Sequence, residues 1–169
     1  MLFRSKEEEK KRGSDERYEW FPIFTNIVDM KVLIVGGGVI ATRRAEVLSN
    51  FEFDIKVVAK KLSEGMKRLH KMGRIICEER KFNEEDLKGA YMVLAATDDD
   101  VLNGSIAKKA ASTCRYYNSS SDREDCNFYF PAIISRDELT LGMTAQGRNH
   151  KLVKEVRQRM EEILDRATE

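Results

Sequence analysis

Four short apolar runs alternate along the chain with segments whose apolar residues recur at helical spacing. The runs are Val32-Leu33-Ile34-Val35, Ile55-Lys56-Val57-Val58-Ala59, Ile75-Ile76-Cys77 and Met92-Val93-Leu94-Ala95-Ala96. Their length predicts strands, and the first and last are apolar enough for burial on both faces. Among the intervening segments, Ala41, Ala45 and Leu48 fall on one face of a helix, as do Leu62, Met66 and Leu69, and then Leu102, Ile106 and Ala110. Strand and helix in alternation imply parallel pairing through helical crossovers. Because such crossovers are right-handed, the order predicts an α/β architecture, an open doubly wound parallel sheet of Rossmann type.

The pattern changes past Asn118. Phe128 to Ile134 and Leu139 to Thr144 are two apolar runs joined by Ser135-Arg136-Asp137-Glu138, which predicts a hairpin. A final helix follows, whose stripe Val153, Val156, Met160 and Ile163 needs a partner surface on its own domain or on a second subunit. Near the other end, Trp20-Phe21-Pro22-Ile23-Phe24 is expected to be an extended segment packed against the domain edge, with Pro22 excluding a helix. Residues 4–17 are almost all charged, small or glycine and cannot bury enough apolar area to offset ordering. The expected organisation is a charged flexible tail over 1–17, a dinucleotide-binding domain over 18–118, and a dimerisation hairpin with a helical tail over 119–169.

Composition narrows the partners. Lysine and arginine number 30 against 29 aspartates and glutamates, so no global positive field favours a nucleic-acid partner. Cys77, Cys114 and Cys126 are widely spaced, which argues against a disulfide framework or zinc knuckle and for a reducing cytoplasm. No apolar run approaches the roughly 18 to 20 residues of a membrane span, so no membrane association is expected.

The chemistry concentrates after the first strand, where Gly36-Gly37-Gly38-Val39-Ile40-Ala41 fits GxGxxA between a strand and a helix. Gly36 permits the tight turn, Gly38 lets the backbone approach a phosphate, and Ala41 allows close packing of helix on strand. The helix N-terminus, with the Val39 and Ile40 backbone, then receives a pyrophosphate. The second strand ends at Ala59-Lys60-Lys61, where an NAD site usually carries an acid. The lysines suit a 2′-phosphate or are simply exposed, so NAD and NADP both stay open on these residues. Thr97, at the carboxyl edge of the fourth strand, is expected to line the cofactor site, with Asp98 or Asp99 capping the next helix. His70 and His150 are too far apart in sequence to suggest a metal-ligand cluster, and no metal site is expected.

These motifs together resemble a family. Trp20 to Phe24, Val32 to Gly38 with Ala41, Arg43 and Arg44, then Ala95-Ala96-Thr97-Asp98-Asp99, Asn118, and Cys126-Asn127-Phe128-Tyr129-Phe130-Pro131-Ala132 look like the precorrin-2 dehydrogenase domain of siroheme synthases. The resemblance covers residues 18–160. It implies oxidation of precorrin-2 to sirohydrochlorin with NAD as hydride acceptor, in a homodimer with intertwined hairpins; some relatives also insert ferrous iron. Cations are then wanted for the substrate's carboxylates, and Arg43, Arg44, Arg136, Arg148, His150 and Lys151, with Asn118, are the candidates.

Two departures from the family pattern bear on activity. The family usually has an aspartate three residues after the asparagine matching Asn118, as its suspected catalytic group; this chain has Ser121 there and Asp122 next to it. Adjacent residues on an extended segment point to opposite sides, so Ser121 and Asp122 are alternative candidates. The serine- and glycine-rich run before the last helix is replaced by Thr144-Ala145-Gln146-Gly147-Arg148-Asn149-His150, and Glu169 leaves room for one final helix. The competing readings are a non-catalytic dinucleotide-binding module, regulatory or tetrapyrrole-carrying, and an added ferrochelatase activity using His150, Asp122 and Asp125.

Overall fold

Val32 to Val35 are each at most 2% exposed, and this burial on both faces makes Lys31–Val35 (β1) the central strand of the sheet. The computed structural model describes residues 20–146 and 148–167, so the expected charged tail over 1–17 lies outside the described residues. After β1 come α1 (Val39–Leu48), β2 (Asp54–Ala59), α2 (Glu64–Lys71), β3 (Ile76–Glu79), β4 (Met92–Ala95), α3 (Asp100–Ala110) and β5 (Tyr116–Ser119). A hairpin of β6 (Ala132–Arg136) and β7 (Leu139–Met143) and the helix α4 (His150–Ala167) complete the chain. The first five strands are parallel in the order β3-β2-β1-β4-β5. The expected doubly wound sheet is present.

Alternation along β1 divides the core. Val32 and Ile34 pack with Ala41, Ala45 and Leu48 of α1 and Met66 and Leu69 of α2, whereas Leu33 and Val35 pack with Ile106 and Ala110 of α3. Each buried Val, Leu, Ile or Met among them contributes about 1.5–3 kcal/mol, and each alanine methyl less. Ser63 caps α2 by accepting the Met66 N–H at 3.1 Å, and Asp99, one of the two expected caps, accepts the Leu102 N–H at 2.9 Å.

Three details differ from the apolar pattern. The third strand runs further along the chain than Ile75-Ile76-Cys77, because Glu78 and Glu79 pair with Val58 and Ala59. Polar residues are held at this edge by ions: Lys56 Nζ lies 3.0 Å from Glu78 and 3.1 Å from Asp86, and Arg80 donates to Glu78 and Asp86 at 2.8 Å each. The hairpin is shifted too. Phe128 and Phe130 leave the expected strand to pack on the α1 side of the core, while Ser135 and Arg136 extend β6, so the turn shrinks to Asp137-Glu138 with Asp137 at φ 47°. The lead-in segment does not pack as expected: Trp20 meets Tyr129 with ring centroids 4.5 Å apart, but Phe21, Ile23 and Phe24 stand exposed. A single copy places no element over them among the described residues.

The Asp86 carboxyl is held well below the usual carboxylate range, because hydrogen bonds from Arg80 outweigh the opposing effect of burial. A carboxyl with a depressed folded-state value stabilises fully above its unfolded value of about 4 and loses that contribution as pH falls through the folded one. At neutral pH Asp86→Asn is therefore expected to be about 1–2 kcal/mol less stable than the parent, a figure kept small by the half-exposed partners. Thermal melts followed by circular dichroism at pH 7 and at successively lower pH are expected to show this gap narrowing below about pH 4.

No helix among the described residues is long and apolar enough to cross a membrane. Helix α4 packs against β6 with Val153, Val156 and Leu164 half-buried, while Leu152, Met160 and Ile163 are exposed. Half of the predicted stripe is thus left open in one copy.

Candidate functional site

The chain must turn from β1 into α1 within three residues, and each glycine meets a different demand. Gly36 has φ +123°, and a Cβ there would lie 2.1 Å from the Ala96 carbonyl oxygen at the end of β4. A Cβ on Gly37 would lie 2.1 Å from the Lys61 carbonyl oxygen, so the turn is pressed between the ends of β4 and β2. At Gly38 a Cβ would meet nothing within 4 Å. The turn is thus open on the Gly38 side.

Gly38 is also the N-cap of α1 and offers no side chain to cap it. The first intrahelical bond is from the Thr42 N–H to the Gly38 carbonyl at 2.9 Å, which leaves the N–H groups of Val39, Ile40 and Ala41 for an anion. Ala41 is fully buried against the sheet, so its side chain acts by permitting close packing and only its N–H is open to a ligand.

A cleft of about 540 Å³ opens from this turn at the carboxyl edges of β1, β2 and β4, the point where the strand order reverses. Its volume lies in the range of roughly 300–1,000 Å³ usual for ligand sites. Gly36 to Ile40, Ala59, Lys60 and Thr97 all line it, so of the expected cofactor residues Ala41 alone sits behind the wall. The turn's free N–H groups, open Gly38 and the cleft's size fit a dinucleotide. Arg80 and Phe82 line the cleft as well, and the sequence did not point to them. They follow β3, whose polar end is not legible as a strand.

Beyond the cleft wall, Thr97 starts a network. Asn103 of α3 is fully buried; its Oδ1 accepts from the Thr97 N–H at 2.9 Å and from Thr97 Oγ1 at 2.8 Å. Its Nδ2 donates to the Thr97 carbonyl at 3.1 Å and to Ser121 Oγ at 2.8 Å. Ser121 Oγ in turn donates to Asp100 Oδ1 at 2.6 Å. Asp122 is engaged elsewhere: its Oδ1 accepts the Glu124 N–H at 2.9 Å and caps a 3₁₀ turn at Arg123–Asp125.

Two further polar side chains each carry a buried, unused atom. Asn118, on β5, donates through Nδ2 to the Phe128 carbonyl at 3.0 Å, leaving Oδ1 without a partner. Arg44, on α1, lies 5.5 Å over the Phe130 ring, with Nη1 buried and unpartnered. Burial pushes the Arg44 guanidinium below its ordinary value, outweighing the opposing influence of Cys126. Burial likewise raises the Cys126 thiol. Its Sγ accepts from the Ser119 N–H at 3.2 Å, tying the loop to β5.

The remaining candidate cations are dispersed. Arg43 is exposed beside Arg44, and Arg148, His150 and Lys151 are exposed at the start of α4. Arg136 cannot join them within one chain: it lies 3.7 Å from Asp165, and the 15 residues from His150 to Asp165 span roughly 22 Å of helix. His70 closes the end of α2 through a 3.1 Å contact with the Ile75 carbonyl. No group of three or more His, Cys, Asp or Glu among the described residues is placed to hold a metal ion.

Residues 23–132 match the family model described as "Putative NAD(P)-binding". The siroheme synthase of Actinobacillus succinogenes is 32% identical over 145 residues, covering 86% of this chain and 30% of that protein. A probable multifunctional siroheme biosynthesis protein of Ruminiclostridium josui is 36% identical over 151 residues, covering 89% of this chain and 29% of that protein. The chain therefore spans about 30% of the length of these curated relatives. Among solved structures, the precorrin-2 dehydrogenase SirC superposes with a TM-score of 0.71 at 28% identity, covering 85% of this chain and 70% of that one.

Proposed function

The chain belongs to the NAD(P)-binding family that forms the N-terminal domain of siroheme synthases, and from that membership we propose that it oxidises precorrin-2 to sirohydrochlorin with NAD as hydride acceptor. The observation that carries the proposal is the glycine turn with its uncapped helix, set in a chain similar over most of its length to a precorrin-2 dehydrogenase. The Val39, Ile40 and Ala41 N–H groups hold the pyrophosphate, Gly38 admits it, and Ala59 and Lys60 flank a ribose. A bound nicotinamide supplies the hydride acceptor. Lys60 stands where an acid would repel a 2′-phosphate, so NADP remains chemically admissible.

The substrate's carboxylates call for cations, and Arg44 is the best prepared, because its guanidinium is buried and lacks an acidic partner. Arg43, Arg148, His150 and Lys151 supply further positive or hydrogen-bonding groups, with Asn118 Oδ1 a buried acceptor. Ser121 and Asp122 are the groups offered for the proton. The open stripe of Met160 and Ile163, with exposed Leu152, Phe21 and Phe24, supports a homodimer, in which Arg136 would serve a neighbouring copy's site. Three free thiols, all half-buried, support a reducing cytoplasm.

The test is to incubate the pure protein with precorrin-2 and NAD and follow sirohydrochlorin and NADH by absorbance. The expected result is one NADH per sirohydrochlorin. Dinucleotide binding without turnover would instead identify a non-catalytic module.

A further inference from the structure

The buried amide of Asn103 determines where the proton of the neighbouring hydroxyl lies. The Thr97 backbone N–H can only donate, so the Asn103 atom it meets at 2.9 Å is the carbonyl oxygen and the atom facing Ser121 is the NH₂ group. Asn103 then has all four amide positions occupied: two bonds accepted from Thr97, one donated to Thr97 and one donated to Ser121. Because Ser121 Oγ receives that donor, its own proton goes to Asp100 Oδ1, 2.6 Å away. One lone pair of Oγ is left.

Resting on the dehydrogenase reading above, we propose that Ser121 and Asp100 form a proton relay, with Ser121 Oγ taking the proton lost by the substrate as its own passes to the Asp100 carboxylate. The carboxylate needed at this loop is thus supplied from the first turn of α3, across 21 positions of sequence. Asp100 is free for the task, since Asp99 caps the helix, whereas the Oδ1 of Asp122 is engaged by the Glu124 N–H. The balance is complete. The substrate C–H bond breaks with its electron pair leaving as hydride, for which the oxidised nicotinamide dinucleotide is the acceptor. A proton leaves the substrate for Ser121 Oγ, a new double bond forms, and the Asp100 carboxylic acid returns its proton to water.

Asp100 acts through Ser121 and is a positioning and proton-accepting residue, so its test separates the proton step from folding and binding. Asp100→Asn is expected to lower kcat about 10²-fold while leaving the KM for precorrin-2 and the Kd for NAD within about twofold. Adding Ser121→Asp to Asp100→Asn returns a carboxylate to the loop and is expected to recover at least about tenfold of that loss, whereas Ser121→Asp in the protein that keeps Asp100 is expected to gain less than about twofold; a purely structural role of Asp100 would give the same gain in both. A folded Asp100→Asn with wild-type kcat, or a double variant no faster than the single one, overturns the relay while the wild type's turnover keeps the dehydrogenase reading. A folded, NAD-binding wild type that makes no sirohydrochlorin overturns that reading and the relay together.

Discussion

Gly36→Ala is expected to destabilise the domain by more than about 3 kcal/mol, whereas Gly38→Ala, two residues on, is expected to fold within about 1 kcal/mol of the parent and lose dinucleotide affinity by about 10- to 100-fold. At Gly36 the backbone sits at φ +123°, a conformation that side-chain-bearing residues rarely adopt and that costs about 1–3 kcal/mol by itself. The added Cβ would stand 2.1 Å from a backbone oxygen of residue 96, which cannot swing aside without pulling β4 from β1. Against a typical domain stability of about 5–15 kcal/mol this is a large fraction. At Gly38 the backbone has φ −80° and a Cβ meets no protein atom within 4 Å, so the fold has no objection to alanine. The space it fills is the approach to the uncapped N–H groups of α1. Thermal melts and isothermal titration with NAD separate the outcomes, and wild-type affinity in Gly38→Ala would place the pyrophosphate elsewhere.

Arg44→Met is expected to raise stability or leave it unchanged while raising the KM for precorrin-2 at least about tenfold. Burying a guanidinium without an acid is costly, and replacing a buried charge by an apolar side chain of similar length is often neutral or stabilising by about 1–4 kcal/mol. The contact with Phe130 offsets some of this, at about 0.5–2 kcal/mol. A charge-assisted bond to a substrate carboxylate is worth about 1.5–3 kcal/mol, which is the tenfold or more expected in KM. Melting curves and steady-state kinetics give opposite signs for a binding arginine and a structural one. A fall in stability with unchanged KM would make Arg44 part of the core.

The dinucleotide cradle is almost wholly legible in the order of residues along the chain, and the proton chemistry is not. GxGxxA between a buried strand and a helix is a local pattern, and in the fold Gly36 makes the tight turn expected of it while Gly38 stands open to solvent space. Arg80 carries no such local signal, because β3 ends in Glu78 and Glu79, whose place in the sheet depends on ions from Lys56 and Arg80 rather than on apolar alternation. Arg136 is indistinguishable by sequence from the cations near α4's start, yet lies at that helix's far end, since a register of β6 and β7 decides where a hairpin tip falls.

Strand and helix periodicity, and with them the parallel sheet and its glycine turn, were determined by the sequence alone, because side chains two, three or four residues apart share a face whatever surrounds them. Which polar groups meet was decided only by the tertiary structure. Ser121 reaches Asn103 and Asp100 across 18 and 21 positions, and Arg44 of α1 meets Phe130 of a distant loop. No periodicity encodes those encounters; they exist because β5 lies beside β4 and returns the chain to the edge where α3 begins.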